Sequence, residues 1–198
     1  MDDLAIVDNA ICIAVTETWL NSDILDQEIN ISGYDLFRCD RADRTHGGVA
    51  LYVWDQYTST IVNKFSNGVC EYLLVRVHQL NHYIAVVYRP PDTSLAEFRQ
   101  LLSVMDGDLS SLPAPTPDIS FLGDLNFSSK DVQWRTNDDG DLFATIHPHR
   151  DSSDTGGAKV RVQAAALLEL VHQHGMMQVI GQPTRKNKNV GIMFPNNS

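Results

Sequence analysis

Apolar positions along this chain fall first into short continuous runs and later into helical spacing. Ala10 to Glu17 is an apolar, β-branched run ending in Thr16-Glu17-Thr18, and its short length predicts a strand buried on both faces. Strand signals recur at Tyr34 to Arg38, Gly48 to Val53, Thr58 to Asn63, Glu71 to His78 and His82 to Tyr88. The first half therefore reads as sheet. From Ser94 to Leu109 the period changes: Leu95, Phe98, Leu101, Leu102 and Met105 recur three and four residues apart, with Ser94 as N-cap and Glu97 three residues on. That spacing predicts an amphipathic helix. Pro113-Ala114-Pro115-Thr116-Pro117 reads as a stiff connector, Asp118 to Leu122 as another apolar strand, and the polar stretch Ser129 to Gly157 as loop. A second helix is expected from Lys159 to His174, carrying Val162, Ala165, Ala166, Leu168, Leu170 and Val171 and stopping at Gly175. One short strand after Met176, a turn through Gly181 to Asn189 and a last strand at Ile192 to Phe194 complete the reading. Strands and helices alternate irregularly and no long period repeats, which suggests mixed sheets covered by helices rather than a solenoid.

Composition narrows the class. With 198 residues, 43% hydrophobic and 20% charged, the chain is long enough for one sizeable core, so a single domain is expected. Its longest apolar runs fall far short of a membrane span. The start, Met1-Asp2-Asp3-Leu4, has neither the basic region nor the apolar core of a signal peptide, so the expected address is intracellular, nucleus or cytoplasm, and not secreted. Cys12, Cys39 and Cys70 are odd in number and widely spaced, as suits buried reduced thiols better than disulfides or a zinc site. A net charge of −10 argues against binding nucleic acid through a wide basic surface. Positive residues gather only locally, at Arg38, Arg41 and Arg44 with His46, at Lys130 with Arg135, and at Arg185, Lys186 and Lys188; each group reads as a solvated loop.

Three strands end in groups that can do chemistry. Glu17 closes the first, where a carboxylate is placed to hold Mg²⁺ or Mn²⁺, although a lone Glu there also reads as a solvated terminus. Gly123-Asp124-Leu125-Asn126 follows the strand Ile119 to Leu122. If the chain stays extended, Asp124 and Asn126 project to one side and offer an acceptor and an amide to a phosphate and its attacking water; the plainer reading is an Asx turn. Tyr88-Arg89-Pro90-Pro91 closes the strand at His82 to Val87, where Tyr88 and Arg89 can donate to phosphate oxygens, or the motif is simply a strand terminator.

The blocks Thr16-Glu17-Thr18-Trp19-Leu20, Gly47-Gly48-Val49-Ala50, Val87-Tyr88-Arg89-Pro90-Pro91, Gly123-Asp124-Leu125-Asn126 and Gln182-Pro183-Thr184-Arg185 occur in the order and spacing of the endonuclease domains of non-LTR retrotransposons, which the chain resembles over nearly its whole length. That family belongs to the endonuclease/exonuclease/phosphatase superfamily and resembles DNase I and the apurinic endonucleases. The resemblance implies an α+β fold, a four-layer αββα sandwich of two mixed β-sheets flanked by helices. Glu17 matches the metal-binding glutamate, Tyr88 the tyrosine that contacts the scissile phosphate, Asp124 the aspartate that orients or deprotonates water, and Asn126 its phosphate-binding partner. The implied activity is metal-dependent hydrolysis of DNA phosphodiesters, with the reverse transcriptase of the same element as partner and no membrane.

The chain also departs from that pattern. Family members carry one earlier strand with a metal-site Asn, and later an Asp-bearing strand and a Ser-Asp-His block; aligned on Thr184 and Arg185, Gly191 stands where the Asp is expected, and the sequence ends at Ser198 before the block. The expectation is one domain over residues 1–198, incomplete at both ends, with weakly bound Mg²⁺ and weak or absent activity. His147 and His149 flank Pro148 in a loop without a third ligand, and His172 and His174 diverge on a helix, so none replaces the missing histidine. The competing readings are a phosphatase or phosphodiesterase for lipid or sugar phosphates, and a non-catalytic remnant that binds nucleic acid or protein.

Overall fold

The computed structural model describes residues 10–42, 46–127, 132–136, 142–146 and 155–176. Strands β1 (Cys12–Thr16), β2 (Tyr34–Cys39) and β3 (Val49–Trp54) form one antiparallel sheet in the order β1-β3-β2. Strands β4 (Ser59–Ser66), β5 (Glu71–Val77), β6 (His82–Tyr88) and β7 (Asp118–Asp124) form a second sheet in that order, with β6 and β7 parallel and the other pairs antiparallel. Helix α1 (Leu95–Ser110) is the crossover between β6 and β7, which a parallel pair requires. A hairpin of β8 (Val132–Thr136) and β9 (Leu142–Ile146) and helix α2 (Thr155–Gln173) follow.

The two sheets pack face to face. Val49, Leu51 and Val53 of β3 meet Leu73, Val75 and Val77 of β5 and Ile84, Val86 and Tyr88 of β6. A fully buried Val or Leu contributes about 1.5–3 kcal/mol, so this layer is a principal source of cohesion. The other face of the second sheet, with Tyr72, Leu74, Ala85, Val87, Ile119 and Phe121, is covered by Phe98, Leu101 and Met105 of α1 and by Leu167, Leu170 and Val171 of α2. The Ser94 side chain accepts from the Glu97 N–H at 3.2 Å while Glu97 accepts from the Ser94 N–H at 2.7 Å, the capping box expected there. His174 Nε2 lies 2.7 Å from Asp106 Oδ1 and ties the end of α2 to α1.

The α+β sandwich matches the expected class. In detail, the first sheet is antiparallel rather than mixed among the described residues. Both α-helices cover the second sheet; beside the first lies a 3₁₀ turn at Asp26–Glu28, where Ile29 accepts from the Tyr52 hydroxyl at 2.8 Å. Three local expectations are corrected. β1 is half-buried, not buried on both faces: it lies at the edge of its sheet among the described residues, and Val15 is 37% exposed. The stretch read as loop holds the β8–β9 hairpin, and α2 begins at Thr155, within it. The basic cluster before Gly47 is not a solvated loop, because Arg38 bonds Asp40 and Asp26 and Arg41 is buried on Glu71. Arg44, Lys130, His147, His149, Gln182 to Arg185, Lys186, Lys188, Gly191 and the last two expected strands lie outside the described residues. Cys12, Cys39 and Cys70 are unpaired, and burial pushes the thiols of Cys39 and Cys70 up to about 11. No helix among the described residues is long and apolar enough to cross a membrane.

Candidate functional site

The parallel pairing of β6 with β7 decides which strand ends meet. Its register sets Tyr88 beside Asp124, so the last residues of both strands share one edge of the second sheet. Val87 partners Gly123, and the two chains approach so closely that a Cβ on Gly123 would lie 1.9 Å from the Val87 carbonyl oxygen. Gly123 has φ +143, a backbone conformation that side chains rarely adopt. The glycine of the Gly-Asp-Leu-Asn motif is therefore needed for strand approach.

Glu17 arrives from the other sheet. It follows β1 directly, and its Oε1 accepts from the Tyr88 hydroxyl at 2.5 Å, across the sandwich. Burial, and then this carboxylate, raise the Tyr88 pKa well above the ordinary phenol value, so the hydroxyl remains a donor at neutral pH. Glu17 and Trp19 both sit in the left-handed region, at φ +54 and +56. Such non-glycine conformations cost about 1–3 kcal/mol each and persist where the surroundings over-determine them.

Here the surroundings can be named. Thr18 N–H and Trp19 N–H donate to the carbonyls of Gly48 and Gly47 at 3.3 and 2.9 Å. A Cβ on Gly48 would lie 2.4 Å from Thr18 Oγ1, and one on Gly47 would lie 2.4 Å from the Arg41 guanidinium carbon. Both glycines have positive φ, which accounts physically for the Gly47-Gly48 block. Beneath them Arg41 Nε and Nη2 donate to the two oxygens of Glu71 at 2.6 and 2.8 Å, Nη2 also donates to the Val69 carbonyl, and the Gly48 N–H donates to Glu71 Oε2 at 3.1 Å. The Arg41 guanidinium stands 5.8 Å from the centre of the Tyr88 ring. Sequence reasoning missed this pair; the available signal was a glutamate opening an otherwise apolar strand, Glu71-Tyr72-Leu73-Leu74-Val75.

On the other side, the chain does not stay extended after β7. Asn126 has φ +51, its N–H donates to Asp124 Oδ1 at 2.8 Å, and its side-chain amide donates to the Arg89 carbonyl at 2.9 Å. The Asx turn and the polar pair are one and the same structure. Asp124 is 8% exposed at this turn, beside Tyr88.

Arg89, expected to bind substrate, is fully buried. Its guanidinium donates to the Leu125 carbonyl at 2.6 Å and to Gln163 of α2, and packs over the rings of Phe98 and Phe127 at 5.3 and 4.6 Å. Gln163 in turn donates to the Thr93 carbonyl at 2.8 Å. Arg89 thus clamps the ends of β6 and β7 to both helices and has no path to a ligand in this arrangement. The reason is its position: it follows Tyr88, and side chains alternate along a strand, so it turns to the helical face.

Glu17, Tyr88, Asp124 and Asn126 therefore gather at one end of the sandwich while Arg89 lies behind them. Among solved structures, the chain superposes on a 3′-5′ exonuclease from Neisseria meningitidis with a TM-score of 0.60 at 12% identity, covering 96% of this chain and 78% of that one. It has the endonuclease/exonuclease/phosphatase fold. The endonuclease domain of TRAS1, a telomere-specific non-LTR retrotransposon, matches with a TM-score of 0.53 at 13% identity, over 93% of this chain and 71% of that one. An AP endonuclease from Archaeoglobus fulgidus gives a TM-score of 0.53 at 12% identity, over 93% and 76%. No protein-family model and no curated protein matches the sequence. At these identities the likeness establishes this DNase I-like, nuclease-type fold and leaves the chemistry to be argued from the site.

Proposed function

We propose that the chain is a nuclease-like domain that engages DNA phosphodiesters at the Glu17, Tyr88, Asp124 and Asn126 end of the sandwich, and hydrolyses them slowly or not at all. One observation carries this reading: Tyr88 donates to Glu17 across the two sheets at 2.5 Å, with Asp124 in register beside it. The protonated Tyr88 hydroxyl is a donor for which a phosphate oxygen competes with Glu17. Asp124, steadied by the Asn126 N–H, presents a carboxylate to orient or deprotonate a water. Asn126 spends one side-chain N–H on the Arg89 carbonyl and has a second to meet phosphate.

The carboxylate of Glu17 suits a hard cation, Mg²⁺ or Mn²⁺. Among the described residues no group of three or more His, Cys, Asp or Glu gathers to hold a metal. Glu17 would therefore hold the ion together with water and the substrate's phosphate, and weakly. An ion held by Glu17 would supply charge neutralisation at the phosphate and leaving oxygen. Of the described histidines, His78 pairs with Thr60, His82 with Ser120 and His174 with Asp106, His46 stands against Trp19, and His172 is exposed on α2. Groups that act as a unit fail together, so a sparse set gives a rate lower by orders of magnitude. The same sparse set favours a second reading, a non-catalytic remnant of a mobile element that binds nucleic acid beside its reverse transcriptase.

The test is nicking of supercoiled plasmid with Mg²⁺ or Mn²⁺, paired with DNA binding at rising salt. Little or no nicking, with salt-sensitive binding, is expected. Robust nicking that Asp124→Ala abolishes would overturn the low-activity reading and support an active nuclease; failure to bind DNA even at low salt would overturn the nucleic-acid reading altogether.

A further inference from the structure

Two exposed aromatic rings stand next to this site with no structural task. Trp19 is 56% exposed, although indole is among the side chains that gain most from burial. Its ring meets that of His46 at 4.8 Å between centres and 74° between planes, so the two form an open corner. The corner is held in place. Trp19 N–H donates to the Gly47 carbonyl, next to His46, and the Gly47-Gly48 backbone is fixed by Thr18 and by the buried Arg41–Glu71 pair. The left-handed φ of +56 at Trp19 is retained at a residue whose side chain is left in water. The contacts that fix this backbone thus hold the Trp19 ring at the surface rather than in the core.

Its location indicates what it faces. Trp19 lies two residues from Glu17, so their Cα atoms are at most about 7 Å apart, and Glu17 itself accepts from Tyr88; the corner therefore adjoins the phosphate site. Charge supports the same conclusion. The chain carries −10, and the described arginines of this loop are spent on carboxylates, Arg41 on Glu71 and Arg38 on Asp40 and Asp26. Among the described residues of this loop no arginine is left for a phosphate, and stacking on an aromatic face adds recognition of a nucleotide that needs no positive charge.

We propose that Trp19 and His46 form a ledge on which an unstacked nucleobase adjoining the bound phosphate rests, which makes a single-stranded or locally opened nucleic acid the ligand. The proposal rests on the phosphodiester reading above and adds to it the part of the nucleotide that is recognised.

The experiment uses the whole chain without divalent metal, so that nothing is cleaved. A short single-stranded oligothymidylate and an abasic oligomer of the same length are titrated while indole fluorescence is followed; the chain has three tryptophans. Oligothymidylate should quench the emission and bind about tenfold more tightly than the abasic oligomer, a difference of about 1.4 kcal/mol. Trp19→Ala should remove that preference and leave the abasic affinity and the urea midpoint unchanged, Trp19→Phe should keep most of it, and His46→Ala should lower it in part. Equal binding of the two oligomers by the unmodified chain, or a preference that survives Trp19→Ala, would overturn the ledge alone. Binding of neither oligomer at low salt would overturn the phosphodiester reading with it.

Discussion

Replacing Glu71 by alanine removes the acceptor around which the whole site loop is organised. Glu71 is fully buried and the Arg41 side chain is 6% exposed, so the guanidinium left behind cannot turn to water without opening the sandwich. Two charged hydrogen bonds at 2.6 and 2.8 Å disappear, and the Gly48 N–H loses its 3.1 Å acceptor. Breaking a buried pair from one side costs about 3–5 kcal/mol, a large share of the roughly 5–15 kcal/mol that holds a domain together. At a urea m-value of about 3 kcal/mol/M the midpoint should fall by about 1–1.7 M. The decisive comparison is the double variant Arg41→Met/Glu71→Leu. With both charges gone and similar volume restored, stability should return most of the way, short of the unmodified chain by about 1–3 kcal/mol, the cost of the orphaned Gly48 N–H. Its site loop should not recover, because Gly48 still lacks an acceptor; amide exchange at Thr18 and Trp19, which donate to Gly48 and Gly47, should remain faster than in the unmodified protein. A midpoint shift below about 0.3 M for Glu71→Ala, or a double variant as unstable as the single, would refute the reasoning that an uncompensated buried charge is the cause.

Gly123→Ala should be among the most damaging single-methyl changes available, since the new Cβ would lie 1.9 Å from the Val87 carbonyl oxygen at φ +143. Strain and overpacking together make about 3 kcal/mol or more, a fall in Tm of about 6–12 °C for a chain of this size; an unchanged Tm would show that β6 and β7 are farther apart than described. His82 gives a pH signature. Burial lowers its pKa from 6.5, with Asp118 opposing, and its Nε2 lies 2.9 Å from Ser120 Oγ. Above pH 6.5 the ring is neutral in both states and stability is highest; as pH falls through 6.5 the unfolded chain takes the proton that the native state refuses, and stability drops. The decline in urea midpoint from about pH 7 to about pH 5 should be shallower in His82→Asn, and identical slopes would remove His82 as the cause.

What was legible in the sequence was local and periodic. Ser94 and Glu97 announce a capping box, the apolar spacing from Phe98 to Met105 fits one helix face, and Gly175, at φ +62, ends α2 where a left-handed residue is wanted. Apolar runs marked β1, β3, β5, β6 and β7 as strands, and the polar ends of β1, β6 and β7 marked Glu17, Tyr88 and Asp124, because strand termini are where buried chains give way to solvent. Tertiary structure alone decided the rest. Nothing within one segment tells that Glu71 and Arg41, 30 residues apart, will be buried together, or that Arg89 will turn from a strand mouth into the helical layer to meet Gln163, 74 residues on. The β8–β9 hairpin was hidden in polar sequence because short strands are stabilised by backbone pairing across the chain rather than by their own composition. Even the meeting of Tyr88 with Asp124 depended on β6 and β7 being parallel and in that register, a choice made by the α1 crossover and by a glycine small enough to let two backbones touch.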